Sequence, residues 1–463
     1  MFTKVKSLHF VGIGGAGMSG IAEVLLNMGY HVSGSDLKLT DTTERLAKMG
    51  AEIFEGHRAE NVEHADVVVV SSAVRGTNPE LTAAADRKLP IIPRAEMLGE
   101  LMRLQQGIAI AGMHGKTTTT SMVGQILTTA KLDPTIIVGG RVVNLDAHSK
   151  LGTGKYLVAE ADEYDRSFLK LAPFMAVITT LEAEHLDTYK DIEDIKAAFL
   201  TFANRVPFYG AVVVCLDEPG VQSLIPEIEK RVITYGLSTQ ADLRALNITF
   251  KESSSHFRVE AMGEILGDID LNLVGLHNVK NALAATGVGL ELGIRFEDIR
   301  EALGQFRGVR RRFEQKGQVN NIIVIDDYGH HPTEIQNTLQ GASMGYPDRR
   351  IIAVLQPHLY SRTRDFYKDF GRSFFQADIL IVTDIYGSRE EPLAGISGEM
   401  VARAAKDFGH RKVYYIGDLN LIAAKVVDIL QPGDMFITFG AGDVNKVGVE
   451  LVGLLKSKYG EGA

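Results

Sequence analysis

Short runs of consecutive apolar residues recur along the chain, each ending in glycine or in polar and acidic residues, and many lead into helical spacing. Leu8–Val11 runs into Gly12-Ile-Gly-Gly-Ala-Gly-Met-Ser-Gly20, and Ile21, Val24 and Leu25 then mark one helix face that ends at Gly29. His31–Asp36 and Asp66–Ser72 are the next strand candidates. The pattern restarts at Gly107-Ile-Ala-Ile-Ala111 and returns at Tyr156–Glu163, Met175–Asp187 and Gly210–Val214. It returns again at Asn321–Asp327, Ile351–Leu355, Ile379–Thr383 and Met435–Phe439. Apolar runs too short for helices, alternating with helical stretches, predict parallel sheets covered by helices. The blocks share this rhythm without a fixed period, which excludes a solenoid. Boundaries placed at Gly107 and Glu314 divide the chain into segments 1–106, 107–314 and 315–463.

The second block opens on the most informative chemistry. After the strand come Gly112, Met113, His114, Gly115, Lys116, Thr117 and Thr118, then further threonines at a helix start. Glycines let backbone N–H groups converge on phosphate oxygens, and the helix N-terminus adds its positive dipole end. Lys116 is placed to reach β/γ-phosphates and the Thr117 hydroxyl to meet Mg2+. The loop is tighter than a full Walker A, which needs glycine where Ile110 stands. Two later strands end in Glu160-Ala-Asp-Glu163 and in Glu182-Ala-Glu-His185. Hard oxygen ligands beside a phosphate loop suit magnesium, so Thr117, Glu160 and His185 are the candidate metal shell of an enzyme that consumes a nucleoside triphosphate. Asn278 and Asn281, at the start of a later helix, are candidates for a purine edge. Asn278 taken alone also reads as a helix cap.

The first block carries a dinucleotide-type fingerprint, Gly12-x-Gly14-x-x-Gly17, with Asp36 about 20 residues on. It marks a place for a diphosphate or ribose without naming the ligand. Gly14, Gly15, Gly17, Met18, Ser19 and Asp36 are the candidate contacts. Ser71 and Ser72 end the neighbouring strand, where turn chemistry explains them equally well.

Composition narrows the class. The 463 residues suggest about three domains. A hydrophobic fraction of 45%, a charged fraction of 23% and a net charge of −9 describe an ordinary globular protein with no nucleic-acid footprint. The one dense basic run, Arg307–Arg312, is short. No apolar run approaches a membrane span, and the N-terminus lacks a signal-peptide pattern. Cys215 is the single cysteine, which fits a reducing, cytoplasmic setting and a core role.

Taken together, the motifs Gly12–Gly20, Gly112–Thr118, Glu160–Glu163, Glu182–Tyr189, Gly275–Ala282 and Arg311–Glu314 resemble those of the Mur ligase family of peptidoglycan synthesis. Asp326–Glu334, Gln356–Thr363 and Arg389–Pro392 extend the resemblance over essentially the whole chain. The resemblance is closest to the alanine-adding branch. It implies an α/β protein of three domains: a Rossmann-like N-terminal domain for a UDP-substrate, a central phosphate-loop ATPase domain with a mostly parallel sheet, and a Rossmann-like C-terminal domain that closes over the amino acid. It implies ATP and Mg2+ as cofactors and UDP-N-acetylmuramate and L-alanine as substrates, joined through an acyl phosphate. Carried over by position, Lys116, Glu160, His185, His330 and Arg362 are the implied catalytic residues. Asn278 and Asn281 would meet the base, Arg312 the phosphates and Asp327 the ribose. Tyr328, His330 and Arg362 would line the amino-acid end.

Several positions depart from the family pattern. Met113 replaces a usual threonine, which predicts a missing loop hydroxyl that Met113→Thr would restore. Thr180 and Glu184 replace Asn and Asp, and Leu359 stands where some alanine-adding relatives carry arginine. Phe199 falls near the modified lysine of later-acting siblings, which favours the alanine-adding branch. Two alternatives stay open here: a ligase that recycles a whole tripeptide, and a nucleotide-binding oxidoreductase or regulatory module using NAD at the first glycine loop. Whether the protein works as a monomer or a dimer is not legible.

Overall fold

The computed structural model describes residues 4–143, 147–185, 188–388 and 390–460. Motif residues Leu186, Asp187 and Arg389 lie outside them. Three sheets organise the described residues, and the predicted apolar runs supply their central strands.

The first sheet contains β1 (Ser7–Val11), β2 (His31–Asp36), β3 (Glu52–Glu55), β4 (Val67–Val70) and β5 (Ile91–Pro93) in the order β3-β2-β1-β4-β5. All four pairings are parallel. The order reverses between β1 and β4, and in open α/β sheets that switch point is where a ligand crevice forms. The glycine loop leaves β1, and Ser71 and Ser72 leave β4, on either side of it.

The second sheet contains β6 (Gln106–Ala111), β7 (Thr135–Val142), β8 (Ala147–Lys150), β9 (Tyr156–Glu160) and β10 (Met175–Ile178). It continues through β11 (Ala211–Cys215), β12 (Val232–Gly236), β13 (Leu243–Lys251), β14 (Ser254–Ala261) and β15 (Glu264–Leu271). Its order is β15-β14-β13-β12-β11-β10-β6-β9-β7-β8. Strand β6 lies between β9 and β10, parallel to both, so the phosphate loop and the acid-tipped ends emerge side by side. Cys215 is buried in β11 and burial pushes its thiol up to about 12, which makes it core. Phe199 is likewise core, against Phe168 at a ring separation of 5.1 Å.

The third sheet contains β16 (Glu314–Val319), β17 (Ile322–Asp327), β18 (Ile351–Leu355), β19 (Ile379–Val382), β20 (Val413–Tyr415) and β21 (Met435–Phe439), ordered β16-β17-β21-β18-β19-β20. Only β16 is antiparallel to its neighbour; the other pairings are parallel. Strand alternation explains its two cores. Ile323, Ile325, Ala353 and Leu355 join Ile335, Leu339 and Phe370 of the helices on one face. Val324, Ile352 and Val354 join Ile422, Val447 and Leu451 on the other. The sheet is thus doubly wound, as expected, although its last strand lies between the first two parallel ones.

The chain forms two compact units. One comprises residues 1–248, 256–271 and 278–307 and holds the first two sheets; the other comprises 249–255, 272–277 and 308–463. Among the described residues, no helix is long and apolar enough to cross a membrane.

A buried polar cluster sits beneath the first glycine loop. Fully buried Glu80 accepts from Ser35 Oγ at 2.7 Å and from Asn61 Nδ2 at 2.6 Å, with His57 Nδ1 at 3.1 Å and His9 Nε2 at 3.6 Å. The Ser35 carbonyl in turn accepts the N–H groups of Gly12 and Ile13. Burial alone would raise the Glu80 carboxyl, but the nearby His9 ring together with hydrogen bonds from Ser35 and Asn61 outweighs it and brings it down to about 2 from an ordinary 4.5. Because the folded value lies below the unfolded one, this carboxylate contributes stability above pH 4.5 and loses it as pH falls towards 2. Urea unfolding from pH 7 to pH 3 is expected to show this acid limb, worth about 2 kcal/mol over that range, and Glu80→Gln should flatten it. An unchanged slope in the variant would refute the assignment.

Candidate active site

The phosphate loop is built by backbone necessity. Gly112 has φ +130°, and a Cβ there would lie 2.1 Å from Thr179 Oγ1, so only glycine fits. Gly115 turns left-handed at φ +82° and caps the helix Lys116–Thr129. Thr179 Oγ1 donates to the His114 carbonyl at 2.6 Å, and His114 N–H donates to Thr180 Oγ1 at 2.8 Å. Thr180, a departure from the family pattern, thus helps to hold the loop.

Lys116 Nζ donates to the Gly112 carbonyl at 2.6 Å and to Glu163 Oε1 at 2.8 Å. Side-chain exposures of 16% and 2% make this a largely buried ion pair. Burial works against the lysine charge, but Glu163, with Asp162 and Glu184, overcomes it and raises the Lys116 pKa. Burial also pushes Glu163 upwards, yet Lys116 and His185 outweigh it and hold the carboxyl below its ordinary value.

The expected metal shell divides into two groups. Thr117 Oγ1 donates to Glu160 Oε2 at 3.2 Å, and Glu160 Oε1 accepts Gly139 N–H at 2.6 Å. His185 instead places Nε2 at 3.4 Å from Glu163 Oε1, packs edge-on against Tyr164, and has a left-handed φ of +56°. Burial raises the Glu160 carboxyl despite Gly139, Lys116 and Thr117. A half-buried carboxylate short of positive charge, beside a hydroxyl, is a donor pair that a hard divalent cation fits.

One further expectation needs correction, and two other places are more enclosed than their motifs suggest. Met113 is 6% exposed and belongs to the apolar cluster with Ala111 and Ile178. Only its backbone serves the loop, so a hydroxyl there would be buried among apolar groups. Lys116 is largely buried, so removing it also disturbs folding. Asn281 accepts from Thr119 Oγ1 at 3.2 Å and donates to Asn278 Oδ1 at 3.4 Å, so the two buried amides brace the helix behind the loop. Thr118 is also buried, in the first turn of that helix.

At the first glycine loop, Asp36 Oδ2 accepts Gly14 N–H at 2.9 Å, and Gly15 N–H donates to the Gly12 carbonyl. Gly17, Met18 and Ser19 lie in the helix Ala16–Asn27; Met18 and Ser19 are buried there, while Ser71 is half-buried and Ser72 exposed.

The second unit has its own polar centre. Glu334 accepts Arg312 Nη1 at 3.1 Å and His330 N–H at 3.0 Å. Burial works against the Arg312 charge, but Glu334 and Asp327 raise its pKa. Both Asp327 oxygens are engaged, by Phe313 N–H at 2.8 Å and Gly329 N–H at 2.7 Å, while burial pushes its carboxyl up to about 6. The His330 ring meets Tyr328 edge-on at 5.2 Å and His358 at 5.6 Å; His358 stacks on Tyr386 and lies 3.3 Å from Arg362 Nη1. Leu359 has φ +67°, a costly conformation for a branched side chain. Sequence reasoning passed over Glu163, Glu334, His358 and Tyr386. The first three lay inside motifs already singled out, and Glu334 completes a capping box with His331.

Lys-Thr on a glycine loop beside acid-tipped parallel strands defines a nucleotide-dependent phosphoryl-transfer enzyme. Family models for the Mur ligase catalytic domain, the Mur ligase middle domain and the Mur ligase glutamate ligase domain match residues 7–106, 110–289 and 311–442. The chain belongs to the Mur ligase family, whose three-domain α/β fold and ATP-dependent amide-ligase chemistry it shares. It is 53% identical to a UDP-N-acetylmuramate–L-alanine ligase of Desulfatibacillum aliphaticivorans, over 97% of this chain and 98% of that protein. The crystal structure of the UDP-N-acetylmuramate–alanine ligase MurC of Thermotoga maritima superposes with a TM-score of 0.83 at 30% identity, covering 98% of this chain and 99% of that one. A murein peptide ligase from Psychrobacter arcticus superposes with a TM-score of 0.72 at 26% identity, with the same coverage.

Lys116→Ala is expected to lower turnover at least roughly 100-fold and also to destabilise the fold, because Glu163 is left buried with less compensation. In urea unfolding, the double variant with Glu163→Gln should lose less than the sum of the single changes. Strict additivity would exclude the pair as a structural unit. Met113→Thr should lower stability by about 2 kcal/mol or more and leave the KM for ATP no better. An improved KM with an unchanged melting transition would show that the side chain faces the nucleotide.

Proposed function

We propose that the chain joins L-alanine to the lactyl carboxylate of UDP-N-acetylmuramate, forming ADP and phosphate. The observation that carries this reading is the 53% identity, over essentially both full lengths, to a ligase of that name. The structural comparison favours the same branch, with a TM-score of 0.83 against 0.72 for the peptide-recycling type.

The chemistry follows from the side chains. A carboxylate oxygen is a poor leaving group, so the amide must form through an activated acid. The lactyl carboxylate attacks the γ-phosphorus of ATP; its O–P bond forms as the β–γ bridging bond breaks, giving an acyl phosphate and ADP. The alanine amine then attacks the acyl carbon, phosphate departs and the amine loses a proton. The phosphate loop cradles the triphosphate, and Lys116 holds positive charge where the transferred group becomes more negative. Glu163 and His185 fix that ammonium in place. Thr117 and Glu160 would hold Mg2+, which when bound supplies further charge neutralisation. The first glycine loop, with Asp36, Ser71 and Ser72, receives the UDP moiety, and Asn278 and Asn281 act through the helix behind the phosphate loop. In the second unit Arg312 and Asp327 serve the nucleotide, while Tyr328, His330 and Arg362 serve the amino acid, the guanidinium being suited to its carboxylate.

With UDP-N-acetylmuramate labelled by ¹⁸O in the carboxylate, one label is expected in the released phosphate, and ADP rather than AMP as product. Recovery of AMP and pyrophosphate, or of unlabelled phosphate, would overturn the mechanism. L-Alanine should support this transfer and L-Ala-γ-D-Glu-diaminopimelate should not; the reverse would favour the recycling reading.

A further inference from the structure

Arg94 opens the helix Arg94–Met102, in a stretch of sequence with no motif. Its side chain packs against Gly17, in the first turn of the helix that follows the glycine loop. A Cβ on Gly17 would stand 2.8 Å from Arg94 Nη1 and 3.2 Å from Cδ, so the missing side chain makes the room that Arg94 fills. On its other side, Arg94 Nη2 donates to Asp162 Oδ2 at 3.1 Å. Asp162 lies two residues beyond Glu160 and next to Glu163, the partner of Lys116. Arg94 therefore stands between the loop read as the sugar-nucleotide site and the carboxylates of the phosphoryl-transfer site.

The ion pair is built to exchange. Its side chains are 22% and 43% exposed, and pairs open to water hold weakly. Among the described residues Asp162 is the only hydrogen-bond partner of this guanidinium, so one of its five N–H donors is used. A planar donor fork matches carboxylate and phosphate oxygens two at a time.

We propose that Arg94 receives an anionic oxygen of the bound sugar nucleotide, transferring to it from Asp162. This inference rests on the substrate proposed above. The anion is either the diphosphate or the lactyl carboxylate, and two ligands tell them apart. UDP-N-acetylglucosamine carries the same diphosphate without the lactyl group.

The test is calorimetric binding of both sugar nucleotides to the full chain and to R94Q, R94K and D162N, with melting transitions as the folding control. R94Q keeps the packing stem without the charge; R94K keeps the charge without the fork. Affinity for UDP-N-acetylmuramate is expected to fall roughly ten- to hundredfold in R94Q and less in R94K. A loss shared by UDP-N-acetylglucosamine assigns the diphosphate; a loss confined to UDP-N-acetylmuramate assigns the carboxylate. D162N should bind both at least as tightly as the unaltered protein, because its competitor charge is gone. Unchanged affinity in R94Q would overturn the proposal. So would an equal loss in D162N, since a mere structural tie is broken alike from either end. If the unaltered protein binds neither sugar nucleotide, the substrate reading itself fails and this inference goes with it.

Discussion

The candidate active site depends on one buried charge. Lys116 leaves the phosphate loop into a place where water is scarce, and an isolated ammonium there would shed its proton. Glu163 prevents this at 2.8 Å, while the Gly112 carbonyl takes a second ammonium hydrogen at 2.6 Å. The pair works only because the chain delivers both halves rigidly. Lys116 opens a helix behind β6, Glu163 follows β9, and the two strands are parallel neighbours in register. A lysine so held is pre-oriented, and its charge costs no reorganisation when phosphoryl negative charge develops.

A second constraint acts around this pair. Three carboxylates, Glu160, Asp162 and Glu163, lie within four consecutive residues, and their mutual repulsion must be met from outside the segment. Each has a different counterpart: Glu163 has Lys116 and His185, Asp162 has Arg94, and among the described residues Glu160 hydrogen-bonds the Thr117 hydroxyl and the Gly139 N–H, with Lys116 acting on it from a greater distance. That inequality explains why burial raises Glu160 but fails to raise Glu163. It also marks Glu160 as the acid that a cation would relieve most.

Much of this was legible because parallel strands buried on both faces read as unbroken apolar runs. Gly107–Ala111, Tyr156–Glu160 and Met175–Ile178 could hardly be anything else, and their polar ends pointed to the crevice. The stretch behind β13, β14 and β15 was not read. Its strands alternate and carry cross-strand charge pairs such as Arg244–Glu260 and Arg258–Asp268, a pattern of half-exposed antiparallel structure that the apolar-run criterion passes over. Side-chain direction was illegible too. Met113 stands in a phosphate loop by sequence, but the loop's curl sends its thioether into the core and leaves only its backbone to line the loop. Partner choice failed for the same reason. Glu160 and Glu163 are three residues apart, and nothing local says which faces Lys116 once the strand ends. Glu80 and Arg94 were invisible because their partners lie 45 and 68 residues away.

The two unread polar clusters share a logic that bears on how the first unit works. Glu80 fixes Ser35, whose carbonyl fixes the start of the glycine loop; Arg94 packs against Gly17 of the helix that follows that loop and reaches Asp162. Glu23 of the same helix joins Arg45 and takes Ser149 from β8, while β7, the partner of β8, gives its Gly139 N–H to Glu160. The glycine-loop helix is therefore tied to the phosphoryl-transfer acids through the β7–β8 hairpin, while the water-exposed Arg94–Asp162 pair is a weak link that can exchange. Apolar contact alone would dock the two sheets without setting their register to a fraction of an ångström. Directional bonds between the loop proposed for the sugar nucleotide and the acids proposed for phosphoryl transfer supply that register, which an in-line transfer would use.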